Sequence, residues 1–349
     1  SYNLLDAQEK LDLEVRAGLY NSAERMELYR QNVRAIAEGV DTYWIGKPVR
    51  TGVGQNYNLD FGGGDEQFRY TMNLSYNGVA GAMKGSYRNN FNGTLSISYL
   101  LRQFRFMNTF SLGMNNSEDS PYGTFSDYVS LNPYWNPYDE EGRLVKSFTT
   151  FGSSTSTSPI ANPLWEGSIN KFDKDKYTNI RNTFRVEWDV AKGLKLSTNF
   201  GYTSQTDRED RFVPKSSNEF NNTSDPDAMG SYTWGYREMR SWQLGLTTSY
   251  GNTFGRHSVF VGLDGSLYDT KSLGYSLWVR GFANDKLTDI SNAAGFATER
   301  PTATDTQSRR VGFTATGNYN YDSRYFVDFS YRLDGSSSFG SLNRFAPFW

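Results

Sequence analysis

Long stretches in which apolar and polar residues alternate one by one are the feature that most limits what this chain can fold into. From Phe68 to Tyr76, every even position is apolar or aromatic and every odd position is polar. Alternate side chains of a β-strand point to opposite faces, so each stretch predicts a strand with one apolar and one polar face. About ten such strands are predicted, at residues 52–62, 66–77, 86–100, 103–115, 177–190, 194–206, 236–250, 257–270, 306–321 and 324–335.

The lengths of these strands and of their connectors favour a membrane protein. Many of the predicted strands have about 12–16 residues, whereas strands of soluble proteins usually have about 5–6 and a tilted membrane-spanning strand needs about 9–11. Short turns alternate with the long polar connectors 78–85, 116–176, 207–235 and 271–305. This rhythm is typical of an antiparallel transmembrane β-barrel, with tight turns on one side of the bilayer and long loops on the other.

The first 45 residues have a different pattern. Apolar residues recur at helical spacing among charged ones, which predicts two short amphipathic helices. Ser22 is a candidate N-cap of the second helix and Gly39 a candidate stop. We therefore predict a helical extracellular loop segment at residues 1–45, followed at 46–349 by part of a transmembrane β-barrel.

Composition excludes several classes of function. The chain has 349 residues, and its 36 basic and 38 acidic residues leave a net charge of −2, so bulk charge gives no reason to expect nucleic-acid binding. With no cysteine and a single histidine, His257, thiolate chemistry and two-histidine zinc motifs are excluded. Acidic pairs such as Asp139 and Glu140 lack the order of a calcium loop. We predict no catalytic residues, no metal and no cofactor.

Several short motifs follow one another along the chain. They are 3–11 (Asn-Leu-Leu-Asp-Ala-Gln-Glu-Lys-Leu), 14–20, 39–44, 59–64 followed by 68–70, 132–142, 162–164, 331–340 (Tyr-Arg-Leu-Asp-Gly-Ser-Ser-Ser-Phe-Gly) and 343–345. Each motif alone is weak, but their order covers nearly the whole chain. In this order the motifs resemble those of the SusC/RagA-type TonB-dependent outer-membrane transporters of Bacteroidetes.

The resemblance implies a 22-stranded barrel in the cell outer membrane that imports a glycan or peptide nutrient. It also implies an N-terminal plug, a segment that contacts the TonB complex, and a SusD-like surface lipoprotein that covers the barrel mouth. This chain matches only the central barrel portion, and we expect the plug to lie outside it. Residues 336–349 contain little alternation and are expected to form a loop, which argues against a complete ten-stranded barrel.

Two groups of residues are candidates for contact with a solute. Aromatic rings stack on the apolar faces of sugars, and the loops contain the candidate substrate-binding residues Tyr134, Trp135, Tyr138, Trp165, Trp234 and Trp278. These rings serve equally well to fold the loops or to contact the lid protein. The polar strand faces are expected to line the lumen, with Arg69, Asn73, Arg105, Arg185, Glu187, Asp328 and Arg332 as candidates.

The main alternative is a soluble β-rich carbohydrate-binding protein or adhesin. In that fold, the apolar strand faces would be buried between two packed sheets rather than exposed to membrane lipid. Phe68, Tyr70, Met72 and Leu74 distinguish the two possibilities, because they lie on one predicted apolar face.

Overall fold

A single large antiparallel sheet dominates the computed structural model, which describes residues 4–153, 155–298, 300–340 and 344–349. Eleven strands follow in the order β1-β2-β3-β4-β7-β8-β9-β10-β12-β13-β14, β11 pairs with β10, and β5 and β6 form a separate hairpin. The strands are β1 Val53–Gly64, β2 Phe68–Ala80, β3 Tyr87–Leu101, β4 Phe104–Glu118, β5 Ser147–Phe151, β6 Thr157–Ala161, β7 Phe172–Ala191, β8 Leu194–Val213, β9 Ser231–Phe254, β10 His257–Phe282, β11 Ala293–Phe296, β12 Thr302–Tyr321, β13 Tyr325–Ser336 and β14 Phe345–Phe348.

The register of the sheet shows that its strands are staggered. A row of direct cross-strand partners connects Phe61 on β1 to Arg309 on β12. Phe61 lies three residues before the end of β1, whereas Arg309 lies twelve residues before the end of β12. This offset amounts to about one residue per strand, which with the usual spacings corresponds to a strand tilt of roughly 35–40°. Staggered, tilted strands are the geometry of a barrel wall.

The same register sorts the side chains onto two faces. Because the pairing is unbroken apart from one shift between Asp189 and Ala191, the apolar positions of neighbouring strands meet on one side of the sheet. This apolar face carries Tyr57, Leu59 and Phe61 on β1, Tyr70, Met72 and Leu74 on β2, Leu95 and Ile97 on β3, Phe106 and Phe110 on β4, Phe184 and Val186 on β7, Phe200 and Tyr202 on β8, Trp242, Leu244 and Leu246 on β9, Leu263 and Leu267 on β10, Val311 and Phe313 on β12, and Val327 and Phe329 on β13.

The apolar face is open. Leu246 is 51% exposed and Phe313 is 53% exposed. Phe68 and Tyr70 are each 40% exposed, and Met72 and Leu74 are only partly buried. The only second sheet within the described residues is the short β5–β6 hairpin of the loop region. The dry, two-sheet interior of a sandwich is therefore not what surrounds these side chains.

The ten predicted strands are confirmed as the ten long strands of the sheet, joined alternately by short turns and longer connectors. Strands β7 to β10 and β12 are longer than predicted, with 20–26 residues. The short strands β5, β6, β11 and β14 were not predicted. The expectation of a loop throughout 336–349 is wrong for Phe345–Phe348, which pairs with β13.

Short helices and turns precede and interrupt the sheet. Helix α1 is Ala7–Arg16, α2 is Ala23–Ala37, α3 is Phe125–Val129 and α4 is Pro163–Ser168. Ser22 caps α2 by accepting a hydrogen bond from the Arg25 N–H, and Gly39 follows the helix with a φ of +85°, so both predicted signals are confirmed. None of the helices in the described ranges has the length and apolar character needed to cross a membrane.

The larger of two hydrophobic clusters among the described residues lies in the loop region, while the smaller one, Phe212, Val279 and Phe282, lies at the loop ends of β8 and β10. In the larger cluster the N-terminal segment and the connector between β4 and β7 pack together, burying Ala7, Trp44, Ile45, Tyr128, Leu131, Tyr134, Trp135 and Leu164. Two residues of the motifs quoted above, Asn3 and Asn343, lie outside the described residues. The loop core gives one end of the sheet a folded rim.

Candidate functional site

A recess of about 500 Å³ opens on the polar face of the sheet, near the ends of the strands that carry the long loops. We call this cavity the polar recess. One row of direct cross-strand partners crosses it, with one residue from each of six strands. The row consists of Asn115, Tyr177, Asp207, Arg237, Gly274 and Thr304. Gly235 and Gly274 contribute no side chains, so the floor is open where the backbone of β9 and β10 passes beneath it.

The recess has both signs of charge. Asp175 and Glu209 are direct partners on neighbouring strands, and Arg237 lies opposite Asp207. The Asp207 carboxylate accepts two hydrogen bonds from Gln205 Nε2, at 3.0 and 3.1 Å. Such a surface can bind hydroxyl, amide, ammonium and carboxylate groups of a hydrated solute.

Of the predicted loop aromatics, only Trp278 lies on the face that carries the recess. It is two residues from Ser276, which lines the recess, and therefore on the same face of β10, where it is 48% exposed. Trp234 is the direct partner of Leu277 and so lies on the opposite face, with its ring stacked on Tyr236 at a centroid distance of 6.0 Å. The structure thus separates two tryptophans that the sequence could not distinguish.

Tyr134 and Trp135 are packed inside the loop core. Tyr134 is 2% exposed, and its hydroxyl lies 3.0 Å from both carboxylate oxygens of Glu14. The Trp135 ring stacks on Phe148 with centroids 5.0 Å apart. In this arrangement their ring faces are covered by protein, and they fold the loop. Tyr138 is 44% exposed, while Trp165 is half-buried and its Nε1 donates to the Ser216 carbonyl oxygen at 3.0 Å.

Glu14 is the centre of a buried polar cluster that joins the N-terminal segment to the loop. Its carboxylate accepts a hydrogen bond from the Tyr20 hydroxyl at 2.7 Å and lies 3.2 Å from Lys10 Nζ. Burial raises the pKa of both Tyr20 and Tyr134, and the neighbouring Glu14 carboxylate raises each pKa further. Both phenols therefore remain hydrogen-bond donors at any physiological pH.

The three longest connectors are tied to each other by polar contacts. Glu166 accepts hydrogen bonds from Ser217 Oγ and the Asn218 N–H, both at 2.8 Å. Asp285 accepts from the Ser216 N–H at 3.2 Å through its side chain, and from Asn170 Nδ2 at 3.0 Å through its backbone oxygen. The loops at this end of the sheet form one connected rim beside the polar recess.

Within the described residues, no group of three or more histidine, cysteine, aspartate or glutamate side chains is arranged to hold a metal ion.

Known proteins resemble this chain in both sequence and fold, although no family model matches it. TonB-dependent receptor P3 of Formosa agariphila is 23% identical over 359 residues, which covers 100% of this chain and 34% of the relative. TonB-dependent receptor P39 of the same organism is 24% identical over 294 residues, covering 83% of this chain and 27% of the relative. The chain thus spans about a third of the length of these relatives.

Solved structures agree on the fold. The structure of the RagAB peptide transporter matches with a TM-score of 0.76 and 19% identity, covering 99% of this chain and 41% of that one. The chain is thus similar in sequence to TonB-dependent receptors and shares its fold with part of the RagAB transporter. The ferric citrate transporter FecA has the same kind of wall at a TM-score of 0.52 and 10% identity, covering 82% of this chain and 35% of its own.

The seven predicted lumen residues all lie on the polar face of the sheet, where most of them form pairs. Asn73 donates to Asp60 at 2.6 Å, and Asn318 donates to Asp328 at 2.7 Å. Glu187 lies 2.8 Å from Arg185 and 3.5 Å from Arg105. Arg332 pairs with Asp334 at 2.7 Å, and Arg69 bonds the backbone oxygen of Asp65. That this face lines a lumen stays a prediction.

The six residues of the row that crosses the polar recess were not singled out from the sequence. The predicted strands stopped at positions 115, 177, 206 and 236, so the recess fell at or beyond their ends. In 172–177 polar residues occupy both faces, and alternation gives no signal there. The length of the polar stretches flanking each strand is the only sequence feature that could have pointed to strands longer than a bilayer requires.

Proposed function

We propose that this chain forms about ten strands of the wall of an outer-membrane importer that takes up a glycan or peptide nutrient with energy from TonB. The observation that carries the proposal is the continuous two-faced sheet, whose open apolar side suits membrane lipid and whose polar side suits an aqueous lumen. The similarity to two TonB-dependent receptors and the RagAB fold supports it.

A soluble β-rich carbohydrate-binding protein or adhesin is the second candidate, and the open apolar face argues against it. Val327 is 62% exposed and Phe329 is 59% exposed. A soluble monomer rarely exposes contiguous apolar patches larger than a few hundred Å². Here the apolar residues continue across all ten long strands. Lipid contact explains this surface, whereas contact with water would oppose folding.

We further propose that the loop rim faces a SusD-like surface lipoprotein and that the TonB complex contacts a part of the receptor outside this chain. RagAB is a peptide transporter, and its fold is the one found here. The interlocked loops support the first half of this idea, because a rim held by Glu166, Ser217 and Asp285 offers a fixed surface to a partner. Membrane lipid surrounds the apolar face.

In this scheme the polar recess and Trp278 contact the solute after capture at the loops. The Trp278 ring offers a stacking surface, and Arg237 and Asp207 offer charged hydrogen-bonding groups within the recess. Tyr138 and Trp165 are further candidates at the rim. The arrangement suggests binding rather than catalysis.

Uptake assays on the full-length receptor test the proposal, with Trp278→Ala compared with Trp234→Ala. Loss of one stacking ring is expected to weaken solute capture roughly fivefold, because aromatic contacts contribute on the order of 1 kcal/mol beyond buried area. Trp234→Ala is the matched control, since its ring lies on the opposite face. Equal uptake in cells with and without TonB would contradict the importer itself. Equal effects of the two variants would contradict only the solute path.

A further inference from the structure

A second cavity, of about 550 Å³, opens on the apolar face of the sheet. Trp242 on β9 and Phe345 on β14 stand at its two sides, and Leu267 and Val311 lie between them on β10 and β12. Asp269 and Arg309 border the same cavity one residue row further toward the loops. We call this cavity the outer groove.

The outer groove lies where, on this face, rows of apolar side chains are followed toward the loops by rows of charged side chains. One row toward the turns, Leu246 and Phe313 flank Gly265, so the floor continues without a polar side chain. One row beyond Asp269 toward the loops, Arg240 and Lys271 are direct partners. A change of this kind marks the boundary between hydrocarbon and headgroups, a level at which tryptophan side chains such as Trp242 are enriched.

The polar edge of the groove is held in a fixed geometry. Asp269, with a side chain only 12% exposed, accepts from Arg309 Nε at 2.6 Å and from Gln307 Nε2 at 3.0 Å. This contact uses one edge of the guanidinium group, and the Arg309 side chain remains 66% exposed. None of the described residues accepts a hydrogen bond from its terminal N–H groups, which are oriented to bind an anion in the bidentate manner typical of arginine and phosphate.

We propose that the outer groove binds a phosphorylated lipid of the outer leaflet, with an acyl chain on Leu267 and Val311 and a phosphate at Arg309. The inference rests on the membrane placement proposed above and assigns a site on the outside of the wall, away from the solute path. Continuity with the lipid-facing surface identifies the occupant as lipid. An anion is favoured because the Arg309 side chain is 66% exposed at the groove while the Asp269 side chain is only 12% exposed, so the positive group is the one presented to a ligand. Arg310 projects to the opposite face, over the Tyr268 ring.

Native mass spectrometry of the purified full-length receptor tests this site, with lipid A as the probe. We expect Arg309→Gln to weaken lipid A binding about tenfold, as loss of a charge-assisted hydrogen bond does, and Arg309→Lys to restore part of it. Val311→Trp fills the groove and is expected to remove binding. Arg310→Gln is the matched control, because it removes the neighbouring charge from the other face and should leave binding unchanged.

Three outcomes would overturn the inference. They are an equal loss in Arg310→Gln, equal binding of lipid A from which the phosphates have been removed, and complete displacement of lipid A by inorganic phosphate. Nutrient uptake is measured in the same variants. If the wild type imports its solute while Arg309→Gln binds lipid A normally, the proposed lipid site is wrong and the proposed import function is unaffected.

Discussion

At the scale of single residues, Glu14 explains why the first helix is attached to a loop 120 residues away. Three groups bind its carboxylate, which is 3% exposed: Tyr20, Tyr134 and Lys10. A buried carboxylate is tolerated only when its hydrogen-bonding capacity is used. The cluster therefore depends on both phenols remaining protonated.

The contact between the N-terminal segment and the loop is expected to fail in alkali. The pKa values of Tyr20 and Tyr134 are raised in the folded state, so the unfolded state loses these protons first. The stability they contribute is complete below the ordinary tyrosine pKa of about 10 and declines as pH rises through the folded values. An ultraviolet titration of the wild type and of Tyr134→Phe should show that the substitution removes a late-titrating phenol. Coincident late phases in the two titration curves would contradict the assignment.

The role of Tyr134 could not be predicted from the sequence. Its segment, Asn-Pro-Tyr-Trp-Asn-Pro-Tyr at 132–138, has the residue types of a sugar-binding loop and of a folded loop core alike. Only the approach of Glu14 and Phe148 decides between the two. Trp278 shows the opposite case, because its exposure and its neighbour Ser276 keep it as a candidate for ligand contact.

At the scale of elements, the short turns could be predicted from the sequence because their backbone requirements are local. Gly193 joins β7 to β8 with a φ of +80°, a conformation that glycine adopts without steric cost. A Cβ at this position would lie 2.2 Å from the backbone oxygen of Gly251 on β9. Gly193 thus serves both its own turn and the approach of a neighbouring hairpin.

Gly193→Ala is expected to destabilise the receptor wall more than Gly255→Ala does. Gly255 also has a positive φ, of +61°, but no heavy atom lies within 4 Å of the added Cβ. The control should therefore show only the conformational cost, roughly 1 kcal/mol, while Gly193→Ala adds a backbone clash. Urea unfolding followed by the mobility of unboiled protein on gels measures both. If the two variants unfold at the same urea concentration, the close approach to Gly251 has no energetic weight.

The ends of the long strands next to the loops could not be predicted from the sequence, because the alternation of apolar and polar residues disappears there. Alternation arises when one face contacts lipid and the other water. In residues 173–176 of β7, both faces are polar, and pairing with β8 on one side and with β4 on the other keeps the segment extended. The strands therefore continue beyond the residues that sequence periodicity could identify.

At the scale of the whole molecule, one asymmetry between the two faces of the sheet supports the functional proposal. Leu246 and Gln243 lie three residues apart on β9 and project to opposite faces. Leu246 lies among the apolar side chains, while Gln243 is the direct partner of Gly201 on the polar face. The two positions allow the same charge to be placed on either side of the wall.

Leu246→Arg is expected to oppose barrel assembly, and Gln243→Arg to have little effect. An arginine on the lipid-facing side costs roughly 2–4 kcal/mol near the middle of the bilayer, whereas lumen positions accept charge. Folding of the full-length receptor into phospholipid vesicles, followed by urea unfolding, gives both free energies. Equal stabilities would show that the apolar face does not contact lipid, and the importer proposal would then fail with it.

The sequence alone determined the strands, their alternation between short and long connectors, and the two-faced wall, because these follow from local periodicity. The tertiary structure decided the remainder. Residues far apart in the chain must meet before Tyr134 can be buried on Glu14, Trp234 and Trp278 can be separated onto opposite faces, or Asn115 and Thr304 can border one recess. The register of each strand pair determines which residues lie beside each other across the ten strands. No local sequence pattern contains that information.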